Sequence, residues 1–451
     1  MTQTAGLAVI DPVENRRVSL LTDTPVSPTD LDADRLAYPI DSACRITTDR
    51  LHIPYPVAVH IRSANGGHVA TVNTDIARQF PHDEYVLDLQ APVKLYLRVT
   101  AAFEITQKTD SGLDIQFDDA IQVTVGARSY HSQPAATITV PDDPSAVMET
   151  VSHLSSGLKT TSPERSWPTL RGHPPRIELG SELDIPDAIN RPDTDVELAI
   201  PAEYPYIFAA APLAYYLAAD LQPTDDCPTL SVGETVLMRF GTGVDTFADE
   251  VAELLQRILT LDCVVRTEGD YPFKLYERTV VKEATDLNLK TLYDADRADR
   301  LETYLAVPDR MVEQIRPTWH RVTHARPDAD MVELLPYVVN DLSLVKIADR
   351  GGEWTPSAIE KSGMEALDAF ARSPDMEASA GPNDFTRSKN LTRSGDELLS
   401  TEGVPGRDGY VPLPDGETVE RAWVGERTRS AERNCSRRRS KLRMPPPPTA
   451  W

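Results

Sequence analysis

Between about residues 43 and 140, apolar and polar positions alternate along the chain. Val57, Val59 and Ile61 are interleaved with Ala58, His60 and Arg62. Val93, Leu95, Leu97 and Val99 are interleaved with Lys94, Tyr96, Arg98 and Thr100. Leu113, Ile115 and Phe117 form a third set, which resumes at Ile121, Val123 and Val125 after a turn at Asp118-Asp119. The segment 137–140 closes the region. A period of two sends successive side chains to opposite faces of a strand. The pattern therefore predicts antiparallel strands with one apolar and one wet face, arranged as a sandwich or open barrel. Asn65-Gly66, just before His68, suits the positive φ angles of a tight hairpin. No repeat of fixed period is present.

The period changes after Val140. Asp143-Pro144 reads as a helix start, because proline tolerates the first helical position and aspartate caps free N–H groups. Val147, Val151 and Leu154 then share one face. Residues 155–205 are proline-rich and read mostly as loop. A buried helix is predicted over 206–220, with Ile207, Leu213, Tyr216 and Leu217 in the core. The clearest helix spans 245–261, where Phe247, Val251, Leu254, Leu255, Ile258 and Leu261 fall on one stripe. Cys263-Val264-Val265 reads as a strand, Leu301 and Leu305 as part of a helix, 311–315 as a short helix and 342–347 as a final strand. The expected fold class is α+β. A loosely ordered lead-in (1–35) precedes an antiparallel sandwich-like β-rich domain (36–141), a mixed α/β domain (142–350) and a disordered tail (351–451).

Charge sharpens the last boundary. Residues 1–350 hold 31 Lys and Arg against 54 Asp and Glu, whereas 351–451 hold 15 against 16. The tail has no apolar period and ends in Arg437-Arg438-Arg439-Ser440-Lys441 and four prolines. Such a segment buries too little apolar surface to offset its ordering entropy. The whole chain carries 10 Lys against 36 Arg, 42 Asp and 28 Glu, and a net charge of −24. So acidic a body repels itself in dilute buffer, and in molar salt a Debye length of about 3 Å screens that repulsion. The Asp-rich, Lys-poor profile fits a protein of a salt-accumulating halophile. It also makes nucleic acid a poor partner, since affinity there needs basic groups on phosphates. Met1-Thr2-Gln3-Thr4 does not open a signal peptide. The longest apolar stretch, 207–219, is short for a membrane span and contains Pro212. A cytoplasmic protein is expected.

Candidate chemistry is sparse. Cys44, Cys227, Cys263 and Cys435 show neither zinc-like spacing nor a disulfide framework. Cys44 and Cys263 sit among apolar residues and read as small core side chains, and Cys435 lies among arginines. His173 precedes Cys227 by 54 residues, a spacing compatible with a histidine–cysteine dyad. Asp225-Asp226, however, would raise the thiol pKa and disfavour the thiolate. His60 and His68 flank the hairpin turn, but His52 and Asp75 give no recognisable ligand spacing, so no metal and no cofactor is implied. Gly241-Thr242-Gly243 lacks the remainder of a phosphate loop, and capping of the following helix by Asp245 accounts for it better. The most distinctive loop is 160–175 (TTSPERSWPTLRGHPP). It sets Arg165, Trp167, Arg171 and His173 on a proline-stiffened track, which reads either as packing between domains or as a recognition loop for an anionic group.

Several stretches together carry a family resemblance: 48–55 (TDRLHIPY), 93–98 (VKLYLR), 125–130 (VGARSY), 160–175, 211–217 (APLAYYL) and 261–269 (LDCVVRTEG). Over about residues 7–350 the chain resembles the N-terminal region of a group of uncharacterised haloarchaeal proteins, whose longer members continue into a caspase-like CHAT domain. Residues 409–426 (GYVPLPDGETVERAWVGE) resemble the approach to that domain, and the likeness stops after Glu426. The resemblance implies a member truncated before its catalytic module, with no catalytic residue carried over. The expected function is then a non-catalytic regulatory or recognition portion that engages a protein partner. The alternatives are a stand-alone ligand- or protein-binding module, and a cysteine peptidase-like enzyme using His173 and Cys227.

Overall fold

A computed structural model of the chain describes residues 5–32, 36, 38–64, 66–73, 76–270, 275–317, 319 and 321–347. The alternating segments become strands of one antiparallel sheet. They are β1 (Gly6–Asp11), β2 (Arg16–Leu21), β3 (Thr29–Leu31), β4 (Ser42–Ile53), β5 (Ala58–Ser63), β6 (His68–Val72), β7 (Ile76–Gln90), β8 (Lys94–Lys108) and β9 (Gly112–Arg128). The order across the sheet is β1-β2-β4-β9-β8-β7-β5-β6, with β3 also on β4. Strands β7 and β8 have 15 residues each and β9 has 17. At about 3.3 Å per residue, β9 would run more than 50 Å if straight. Register breaks bend the long strands instead: at Thr48/Arg50 between β4 and β9, at Phe80/Asp83 between β7 and β8, and at Arg98/Phe103 between β8 and β9. Pro81 sits in the β7 irregularity, where a missing N–H costs no ladder bond. The bent sheet is sandwich-like, and one apolar core draws on β2 and β4 through β9. Phe80, Tyr85, Phe103 and Phe117 meet at the bends, with Phe80 and Phe103 stacked at 4.8 Å.

Two expectations change here. The presumed loose lead-in supplies β1 to β3, and Val18 and Leu20 of β2 are fully in the core. Short strands flanked by Asp, Pro and Thr have too little local signal to stand out. The outer face of β8 is also drier than its pattern predicts. Arg98 and Thr100 are exposed, but Lys94 and Tyr96 are buried. Leu36, Tyr38 and Ile40 lie over this face with Val86, and Tyr38 stacks on Tyr96 at 4.8 Å. Beneath them Lys94 is ion-paired with Asp88, which also lies 3.6 Å from Arg62 Nε. Burial pushes the Lys94 ammonium below its ordinary pKa, with Asp88 opposing. Lys94 and Arg128 both approach the Tyr96 ring, at 5.2 and 5.8 Å.

The region after the sheet mixes helices with short sheets. β10 (Thr137–Val140), α1 (Pro144–His153) and β11 (Arg176–Leu179) form a parallel crossover pair. The expected domain boundary at 141/142 therefore falls inside a unit, and 137–140 belongs with the mixed α/β region. Apart from 317–321, the described residues lie in one compact unit. Asp143 caps α1, accepting from Ala146 N at 2.9 Å. β12 (Val196–Ile200), missed in the proline-rich stretch, is central to a sheet ordered β13-β12-β14-β15. Its partners are β13 (Asp220–Pro223), β14 (Thr229–Val232) and β15 (Thr235–Arg239), with α2 (Tyr204–Leu217) connecting β12 to β13. The predicted strand at 263–265 is instead the last turn of α3 (Val244–Val265), whose stripe is buried as expected. α4 (Tyr276–Ala284), α5 (Leu289–Asp294), α6 (Arg297–Ala306) and α7 (Asp309–Ile315) follow. A second parallel pair, β16 (Val322–Ala325) and β17 (Leu344–Ile347), spans α8 (Leu335–Asn340). Among the described residues, no helix is long and apolar enough to cross a membrane. The expectation of disorder over 351–451 falls outside the described residues, as does Cys435.

Candidate functional site

The loop 160–175 folds into two 3-10 turns, Pro163–Ser166 and Pro168–Leu170, each opened by proline. Ser162 caps the first by accepting from Glu164 N at 3.3 Å. Its two ends are tied together: Lys159 N donates to Leu170 O at 2.9 Å and Gly172 N to Gly157 O at 2.7 Å. The result is a compact, internally bonded Ω-like loop.

Its four candidate residues have different fates. Arg165 is completely buried, and its Nε donates to Asp262 Oδ2 of α3 at 3.0 Å. The guanidinium lies 4.7 Å from the Tyr216 ring of α2. Asp262, also fully buried, accepts from Tyr216 OH at 2.8 Å and from Tyr304 OH of α6 at 3.0 Å. Burial and the Asp262 charge hold both phenols well above their ordinary pKa. Nη1 and Nη2 of Arg165 are buried without a hydrogen-bond partner, and the guanidinium lies over the electron-rich Tyr216 π face. Arg171 turns inward as well, donating from Nη1 to Arg165 O at 2.7 Å and Ser166 O at 2.9 Å. His173 is buried, donates from Nδ1 to Pro174 O at 2.7 Å, and packs edge-on to Tyr337. Trp167 alone faces out, 43% exposed, with the buried Arg266 guanidinium 4.6 Å from its ring.

Glu164 was not anticipated. It is 1% exposed, and its Oε1 accepts from Asp270 N at 3.0 Å and Tyr293 OH at 3.4 Å, while Oε2 is buried without a partner. Burial pushes its carboxyl up to about 7, with Arg266 opposing and Asp270 adding to the rise. A single acid inside the apolar segment 261–265 was the available clue to Asp262, and Tyr215-Tyr216 in an otherwise apolar helix was the clue to its partners.

The remaining candidates separate. Cys227 Sγ donates to Phe240 O at 2.9 Å, and His173 bonds Pro174 O, so neither member of the proposed dyad is bonded to the other. Burial raises the thiol pKa of Cys44, with Asp30 adding to it, and that of Cys263. His60 and His68 do approach across the hairpin, with ring centroids 6.4 Å apart, and each lies against Thr71 Oγ1. Among the described residues, no group of three or more His, Cys, Asp or Glu is placed to hold a metal. Asp75 lies outside them. At 241–243 the Gly241 amide is taken by Glu250 Oε2 at 2.7 Å. Gly243, not Asp245, occupies the N-cap of α3, and Asp245 instead places its charge in the first turn, where the helix dipole favours it. Comparison with known proteins gives no matching family model, no matching curated protein and no matching solved structure.

Proposed function

We propose that this chain is the non-catalytic recognition and regulatory portion of a cytoplasmic, salt-adapted haloarchaeal protein of the CHAT type, and that it engages a protein partner through the Trp167 loop. The observation that carries this reading is the exposed Trp167 ring, braced by a buried arginine on a loop otherwise locked by its own bonds. Rigid aromatic anchors lose little entropy on binding and dominate protein interfaces. The inward bonding of Arg165, Arg171 and His173 supports recognition by shape and apolar contact over capture of an anion. The separate backbone bonds of His173 and Cys227 count against the peptidase alternative.

The test is affinity capture in molar KCl from a haloarchaeal lysate, with the full chain and Trp167→Ala as paired baits. Wild type is expected to retain a chain bearing a caspase-like module, and the variant to lose it at least tenfold. Equal retention by both, or peptide hydrolysis by the purified chain that disappears in His173→Ala and Cys227→Ala, refutes the reading. The salt-adapted part is checked separately. Moving from about 0.15 to 3 M KCl is expected to raise the melting temperature by about 10 °C or more, because 54 acids against 31 bases in residues 1–350 repel when unscreened.

A further inference from the structure

The turn after α3 meets the tip of the β5–β6 hairpin, and two acids sit at the seam. Glu164 reaches it from the Trp167 loop and accepts the Asp270 amide. Gly269 is a glycine for a steric reason: a Cβ there would collide with Glu164 Oε1 and the Tyr293 ring. Across the seam, Gly66 at the hairpin tip (φ +83°) faces the Asp270 carbonyl and the Tyr38 hydroxyl, so that an added Cβ would lie 3.5 and 3.6 Å from them. Each neighbouring element contributes charged or titratable groups. Arg266 and Tyr293 face Glu164; Arg62 of β5 and Lys290 of α5 face Asp270. Tyr38 stands between Arg62, Asp270, Asp88 and Glu164. Of the remaining titratable groups on these elements, Asp262 is engaged by Arg165, Glu268 by Arg278 and Lys282, Asp294 by Lys290, Arg171 by loop carbonyls, His173 by Pro174 O, and His60 and His68 by Thr71 Oγ1.

We propose that Glu164 and Asp270 form a proton-operated latch fastening the Trp167 loop and the β5–β6 hairpin to the turn after α3, closed when the acids are neutral and loosened when they ionise. A neutral Glu164 leaves one unpaired buried oxygen. An ionised one leaves a buried charge whose Oε2 has no donor, which is far costlier. Opening the seam lets water supply that donor.

The sign of the pH effect comes from linkage. Burial raises Glu164 from 4.5 to about 7 and Asp270 from 3.8 to about 6. The closed seam thus keeps protons that the hydrated seam releases. Its advantage is complete below the ordinary carboxylate values and falls as pH rises through the raised ones, levelling off above about 7. Between about pH 5.5 and 8 the two groups together shift the open-to-closed ratio on the order of a hundredfold, most of it through Glu164. The link to partner binding rests on the recognition reading above, whereas the latch itself does not.

Hydrogen exchange of the full chain in molar KCl tests it, with intrinsic rates corrected. Peptides covering 262–270 and 58–64 are expected to exchange on the order of a hundredfold faster at about pH 8 than at about pH 5.5, with a midpoint between 6 and 7, while the β8 peptide 95–105 stays unchanged. Glu164→Gln, a mimic of the neutral acid, should leave only the few-fold remainder due to Asp270. An equal change in β8, a wild-type midpoint below 5, or an undiminished slope in the variant overturns the proposal. Should the variant not fold, the wild-type midpoint and the β8 comparison decide. Capture by wild type at both pH values separates the two ideas. Loss of partner in Trp167→Ala without pH-dependent exchange sinks the latch alone. Exchange that varies with pH, with Trp167→Ala still binding, sinks the recognition reading alone.

Discussion

Asp262→Ala is expected to destabilise the protein by about 3–5 kcal/mol, measured by denaturant unfolding in molar salt. The substitution removes the acceptor for three donors at once: Arg165 Nε, Tyr216 OH and Tyr304 OH. It also strands the Arg165 guanidinium, which has no route to water because the side chain is completely buried. A charge left alone in the interior costs far more than a lost surface pair, whose worth is about 0–1 kcal/mol. The companion experiment removes the charge on both sides. Arg165→Met with Asp262→Asn keeps an acceptor for one phenol, offers an amide N–H to the hydroxyl oxygen of the other, and leaves no ion to desolvate, so the double variant should recover at least about 2 kcal/mol relative to Asp262→Ala. Recovery would identify the stranded cation as the main penalty. A double variant no more stable than Asp262→Ala would mean that the stranded cation is not the main penalty.

Gly112→Ala should cost about 3 kcal/mol or more, and comparison with Gly233→Ala shows why. Both glycines have positive φ, +84° and +55°. At Gly233 nothing lies within 4 Å of an added Cβ, so only the backbone preference is lost, about 1 kcal/mol. At Gly112 the same atom would lie 2.5 Å from Tyr55 N and collide with the Ile53 carbonyl, where β4 pairs with the start of β9. Neither neighbour is a flexible side-chain end, so the hairpin or the strand must move. The difference between the two variants, read as unfolding free energy under one condition, isolates the close approach. Equal losses would show that the Ile53–Tyr55 segment yields freely.

The legible parts of this fold were those with long, uninterrupted periods. Phe247, Val251, Leu254, Leu255, Ile258 and Leu261 announced α3, and all six are buried. The alternating sets at 57–61, 93–99 and 113–125 announced the sheet. Where elements are short, local pattern failed. Cys263-Val264-Val265 looked like a strand because two of its residues are β-branched, but the preceding turns carry the helix through. Thr137–Val140 looked like its upstream neighbours, and only its partner, Arg176–Leu179, places it in a different sheet. The candidate loop shows a deeper limit. Hydropathy predicts that an indole goes in and a guanidinium goes out. Here Arg165 is buried because Asp262, Tyr216 and Tyr304 from three helices converge on it, and Trp167 is left outside. Convergence of that kind has no signature in a one-dimensional reading, although a lone aspartate in an apolar helix marks where to look.

The pairing of β4 with β9 has a consequence for biogenesis. Strands β7, β8 and β9 follow one another through short turns, so each finds its neighbour as soon as it is made. β4 does not, since its main partner is completed only at Arg128. At ribosomal rates of about 5–20 residues per second, roughly 4–15 s separate the emergence of Ile53 from that of Arg128. Throughout that interval a twelve-residue segment with Ile46, Leu51 and Ile53 has only its short pairings with β2 and β3 and lacks its main ladder. The nascent chain is then most open to capture by ribosome-associated holdases or by strands of neighbouring polysomes, and the hazard ends when the ninth strand zips home.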